Sequence, residues 1–88
     1  MSTLPPPATK KFPEDSVEAQ VYKIVNDFKE YMPVDNDRNR LGFGLYKFVM
    51  GEGDHPKILL KTSQIRVEGI SEEALANKIA AELAKVKK

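Results

Sequence analysis

The chain has no cysteine, no tryptophan and a single histidine, and its 88 residues carry almost no net charge: 14 Lys and Arg stand against 13 Asp and Glu. Without cysteine there is no disulfide framework, no thiolate zinc site and no cysteine nucleophile, and the redox compartment leans toward the cytosol. The lone His55 is the only candidate base for a Ser-His-Asp triad, and no Gly-x-Ser-x-Gly elbow accompanies it. Near-neutrality argues against nucleic acid as the main target, since such binding carries a basic electrostatic footprint. No apolar run approaches the roughly 18 residues of a membrane span, and the opening MSTLPPPATKKFP has no signal-peptide core. A soluble, cytoplasmic protein with no cofactor and no membrane partner is the expectation.

What the chain does contain divides it in two. Four of its six prolines (Pro5, Pro6, Pro7 and Pro13) fall within residues 1–14, which show no periodic apolar face and read as a flexible Pro-rich arm. The Pro5-Pro6-Pro7 run has the composition of a groove ligand, but the reading preferred is an ordinary untethered terminus. Residues 15–88 read as a single α+β domain. With 41% hydrophobic residues the chain is too apolar to be wholly disordered, and a chain of this length buries roughly 60–65% of its unfolded surface.

Val17, Val21, Ile24, Val25, Phe28, Tyr31 and Met32 recur every three or four residues and predict a helix, with Asp15 as cap, Glu18 in capping-box position and Pro33 as terminator. Residues 34–40 read as a polar connector. Aromatic and β-branched residues over 41–50 predict a strand, Gly51 to Pro56 a hairpin turn, 57–62 the returning strand, and the alternating 64–68 a third. Apolar parity changes between Ile58/Leu60 and Ile65/Val67, which requires a turn or a bulge near Thr62 and Ser63. Ser71 as N-cap, Glu72 and Glu73 in the first turn and Lys85, Lys87 and Lys88 at the end frame a last helix with the stripe Leu75, Ile79, Leu83, Val86. The expected fold is a two-layer α-β-β-(β)-α arrangement, a small antiparallel sheet with two helices packed on one face.

In such a fold the second sheet face is open, and period two decides which residues share it. Lys47 interrupts one parity of the first strand, so Tyr46, Phe48 and Met50 are assigned inward with Ile58, Leu60, Ile65 and Val67. The open face then shows Phe43, Leu45, Lys47, Val49, Lys57, Leu59, Lys61, Arg66 and Glu68. An apolar patch rimmed by charge marks a contact site. Its expected anchors are Phe43, Leu45 and Leu59, with Lys47, Lys57, Lys61 and Arg66 steering an acidic partner. A foreign protein, a second copy of the chain, or a single-stranded nucleic acid stacked on Phe43 would each use it.

Gly42-Phe43-Gly44-Leu45-Tyr46-Lys47-Phe48 resembles the aromatic strand signature of the RNA-recognition motif and departs from it at Leu45 and Tyr46. The element order over about residues 15–86 resembles the double-stranded-RNA-binding domain, with His55 in the first hairpin loop and Gly69, Ser71, Ala80 and Ala81 around an alanine-rich last helix. That resemblance implies a minor-groove contact for His55, but Glu72 and Glu73 stand where the family carries a lysine pair that grips phosphate.

Chemistry-bearing patterns are sparse. Glu52, Asp54 and His55 crowd one turn without the rigid, converging setting of a metal site. Gly51-Glu52-Gly53 lacks the ending of a phosphate loop, and Asp35 to Arg40 lacks the glycine and closing Glu of a calcium loop. The sequence therefore leads to a non-enzymatic binding module, a small regulatory or inhibitory accessory protein docking on a larger protein. RNA or single-stranded nucleic acid binding through the same face is the alternative. Small size and lack of chemistry would also suit a phage accessory inhibitor.

Overall fold

Ser16 opens the first helix, its Oγ accepting a hydrogen bond from the Ala19 N–H at 3.1 Å, which satisfies one of the donors left over at a helix start. Four helices follow in order: α1 (Val17–Asp27), α2 (Asp35–Val49), α3 (Pro56–Thr62) and α4 (Glu72–Leu83). This computed structural model describes residues 13 and 16–88. The cap is therefore Ser16 and not the expected Asp15, which, like the Pro-rich arm apart from Pro13, lies outside the described residues. Along α1, Val21, Ile24 and Val25 turn inward, and a 3-10 turn over Lys29–Tyr31 ends the run before Pro33. In α4 the Ser71 Oγ accepts from the Ala74 N–H at 3.1 Å, while Leu75, Ile79 and Leu83 are buried.

The expected sheet is absent: the described residues form no strand, and the α-β-β-(β)-α reading gives way to an all-helical fold. The connector and the first strand together form α2, and the returning strand forms α3. Along α2, Asp37, Leu41, Leu45 and Val49 recur at a spacing of four and all are buried, which is helical periodicity. Gly42 and Gly44 each weaken a helix by about 1 kcal/mol relative to alanine, and both are repaid in packing. A Cβ on Gly42 would lie 2.4 Å from Tyr22 Cε1, and one on Gly44 3.0 Å from Leu59 Cδ2. The two glycines thus let α1 and α3 approach the α2 backbone. Burial between α1 and α2 pushes the Tyr22 phenol up to about 12, and its hydroxyl donates a long hydrogen bond to the Asn39 carbonyl at 3.5 Å.

The supposed hairpin turn is a helix end followed by a helix start. Gly51 adopts φ +85° and donates to the Phe48 carbonyl at 3.0 Å, while the Glu52 N–H reaches the Lys47 carbonyl at 2.8 Å. That bond pair is a Schellman closure, which needs a left-handed residue where Gly51 stands. His55 then caps α3, its Nδ1 accepting from the Lys57 N–H at 3.1 Å. Pro56 takes the first helical position, where its missing N–H leaves no bond unmade.

A second Schellman closure ends α3, with Gln64 donating to the Lys61 carbonyl and Ile65 to that of Leu60, both at 3.2 Å. The parity change near Thr62 and Ser63 is this helix end. Its left-handed position holds Gln64 at φ 52°, where a Cβ costs roughly 1–2 kcal/mol. The Gln64 side chain is exposed, so Gln64→Gly removes strain and little packing. We expect a gain of about 0.5–1 kcal/mol, part of the relief being offset by glycine's freedom in the unfolded chain. A higher urea midpoint at unchanged slope is the readout; a lower midpoint would refute the cap.

Contacts run from α1 to α2, α2 to α3, α3 to α4 and α4 back to α1, closing a ring. Val21, Met32, Leu41, Leu45, Leu60 and Ile79 are fully buried inside it. The alternating segment 64–68, expected as a third strand, is not one: Gln64 belongs to the turn that closes α3, and residues 65–68, with Ile65 buried, pair with no strand among the described residues. Its Arg66 N–H donates to Asp37 Oδ2 at 2.9 Å and its Glu68 N–H to the Tyr31 carbonyl at 2.9 Å. Beyond α4, the Gln20 amide clamps Lys87, donating to its carbonyl at 2.7 Å and accepting from its N–H at 2.9 Å.

Candidate binding surface

On a helix, residues at i, i+4 and i+7 share a face, so Phe43 and Lys47 on α2 and Met50 at its C-cap are placed on one side. Phe43 is 42% and Met50 45% exposed. The Lys47 Nζ lies 4.8 Å from the Phe43 ring centroid, a cation–π contact worth about 0.5–1 kcal/mol at an exposed site. The result is a stripe of apolar, cationic and apolar side chains. On α3, Ile58 is also exposed at 48%, beside Lys57, whose Nζ lies 3.9 Å from Glu73 Oε1, and the exposed Lys61.

The open sheet face expected from the sequence does not exist, and its residues part company. Leu45 is fully buried and Leu59 nearly so, both in the helical core, so neither can anchor a partner. Val49, also expected outside, is buried, whereas Met50 and Ile58, assigned to the core, are exposed. The Arg66 side chain pairs with Glu68 at 2.7 Å across exposed surface, a contact worth about 0–1 kcal/mol. Of the seven chosen residues, Phe43 and Lys47 are in direct contact. Met50, which extends their face, escapes a strand reading because its seven-residue spacing from Phe43 is odd.

Comparison with protein families, curated proteins and solved structures finds no match. Function must therefore be argued from the surface itself. The stretch 42–48 is helical and His55 is a helix cap, so the strand signature and the hairpin-loop histidine behind the two RNA-binding resemblances are not strand and hairpin features here. Among the described residues no three His, Asp or Glu side chains converge on a metal-sized site, and no helix is long and apolar enough to cross a membrane.

Apart from the α2 stripe, a concavity of about 450 Å³ opens where the C-terminal ends of α2 and α4 meet the start of α3. Phe48, Val49, Ala80, Leu83, Ala84 and Val86 give it an apolar lining, with His55 and Lys88 as its polar residues. The His55 ring meets Phe48 edge to face at 5.6 Å.

Proposed function

We propose that this protein is a non-enzymatic binding module, a small regulatory or inhibitory accessory protein that docks on a larger protein through the α2 stripe of Phe43, Lys47 and Met50. The supporting observation is that two large, half-exposed apolar side chains, Phe43 and Met50, are spaced to share one helix face, with the Lys47 ammonium over the Phe43 ring. Aromatic and Met side chains of this kind serve as interface anchors. The stripe's one charge is positive, so a surface offering a carboxylate between apolar residues complements it. A second copy docked antiparallel about Lys47 would bring two ammonium groups together, which favours a foreign, acidic partner.

The test compares wild type with the Phe43→Ala, Met50→Ala double variant. Both side chains are exposed, so thermal stability is expected to shift by no more than about 1 kcal/mol, while affinity falls at least tenfold if the two are anchors. A discrete protein retained from native lysate by wild type and lost by the variant supports docking through this face. Equal retention would refute it. In parallel, wild type should sediment as a monomer, and binding to generic RNA should be absent at low salt.

A further inference from the structure

The groove between the ends of α2 and α4 lies apart from the docking stripe. We propose that it binds a small amphipathic carboxylate, an alkyl or aryl body ending in one anionic head. Three observations converge on that chemistry. First, the lining residues include no acid: Glu52 and Asp54, close in sequence, do not line the groove. Second, the polar side chains among the lining residues can only donate. His55 Nδ1 already accepts from the Lys57 N–H at 3.1 Å, so in the neutral ring the remaining nitrogen, Nε2, carries the proton, and the Lys88 ammonium has no acceptor. A carboxylate meets such a rim with charge-assisted hydrogen bonds.

Third, the walls leave little for a peptide backbone to bond. The carbonyls of the lining residues Ala80 and Leu83 accept from the N–H groups of Ala84 and Val86, both at 3.1 Å, and that of Phe48 from Gly51 at 3.0 Å. An extended peptide laid here would bury amides without partners, whereas an alkyl chain has none to satisfy. The volume of about 450 Å³ falls within the roughly 300–1,000 Å³ typical of small-molecule sites.

Sodium decanoate, below its micelle threshold, is the probe, followed by amide shifts in ¹⁵N–¹H spectra. Saturable shifts centred on Phe48, His55, Ala80 and Ala84 are expected, with decylamine at least tenfold weaker. Ala84→Phe, at an exposed position, fills the groove and should abolish saturation; Lys88→Gln should weaken it several-fold. The decylamine contrast and Lys88→Gln leave the core untouched, so they decide even if Ala84→Phe fails to fold. No saturable shift with decanoate, equal binding of decylamine, or unchanged binding in Lys88→Gln would overturn the proposal. So would saturable binding of acetyl-Leu-Leu-Glu-amide where decanoate gives none, which would assign the groove to a peptide. Loss of the Phe43, Met50 stripe leaves all of these outcomes unaltered, so the two readings fail separately.

Discussion

Gly42→Ala is expected to destabilise the protein by about 2 kcal/mol, although alanine is the better helix former by about 1 kcal/mol. The new methyl carbon would sit 2.4, 2.7 and 2.9 Å from Cε1, Cδ1 and Cζ of Tyr22. Those are atoms of a rigid ring that is 3% exposed and held between α1 and α2, so the helices themselves must part. Overpacking of this kind costs roughly 1–3 kcal/mol, which in a domain this small lowers the melting temperature by about 10 °C. Gly44→Ala, two residues on, is the contrast. Its nearest neighbour is the Leu59 Cδ2 methyl at 3.0 Å, the far end of a flexible side chain, so the propensity gain roughly offsets the crowding and stability should hold within about 0.5 kcal/mol. A spectroscopic titration of Tyr22 supplies a second readout. If the ring is pushed toward solvent in Gly42→Ala, its ionisation falls from about 12 back toward 10. Equal melting temperatures for the two alanine variants would refute close packing at Gly42.

The same glycines explain why the middle of the fold was misread and its ends were not. The first and last helices carry a four-residue apolar repeat that local sequence displays, and the last its Ser71 cap as well, whereas the first is capped by Ser16 and not by Asp15. In α2 the helical repeat passes through Asp37 and Gly42, a charge and a glycine. Both are buried only because Arg66, Arg40 and Tyr22 arrive from elsewhere in the chain or from the neighbouring turn. Aromatic and glycine content then outweighed the true period. In α3 the helix is too short for a period to register, and the informative residues are His55 and Pro56, which start a helix.

The fate of the predicted surface follows from arithmetic on spacings. Phe43 and Lys47 are four residues apart, a separation that shares a face in a strand and in a helix alike. They therefore stay together even though the sheet does not exist. Leu45, two residues from Phe43, shares its face in a strand but lies about 200° away on a helix, which carries it into the core. Met50, seven residues on, is on the opposite face of a strand and the same face of a helix. The exposed stripe was thus legible only at its even, four-residue step.

Asp37→Ala is expected to cost about 2–3 kcal/mol, and the effect will appear at a distance. Residues 34–40 have the composition of a solvated connector, yet the Asp37 side chain is only 10% exposed and joins two parts of the chain. Its Oδ1 accepts from the Arg40 guanidinium at 2.6 Å and its Oδ2 from the Arg66 N–H at 2.9 Å, while the same Arg40 nitrogen donates to the Ser63 carbonyl at 2.9 Å. In this way the first turn of α2 holds both the end of α3 and the irregular segment after it, and the carboxylate stands favourably at a helix N-terminus that has no side-chain cap. Removing the carboxylate strips two charge-assisted hydrogen bonds worth roughly 1.5–3 kcal/mol each, an upper bound here because Arg40 is 41% exposed and recovers hydration. Asp37→Asn keeps one acceptor but turns an amide donor toward Arg40 or Arg66, so it should fall between alanine and wild type. Arg66→Ala, which removes only the exposed pair with Glu68 and leaves the backbone N–H in place, should cost under about 0.5 kcal/mol. Urea midpoints rank the three variants, and hydrogen exchange locates the effect: in Asp37→Ala the Arg66 amide should lose protection beyond the global loss, while core amides of α4 follow the global value. Arg66→Ala matching Asp37→Ala in stability would refute the bridge and return Arg66 to a side-chain role at the surface.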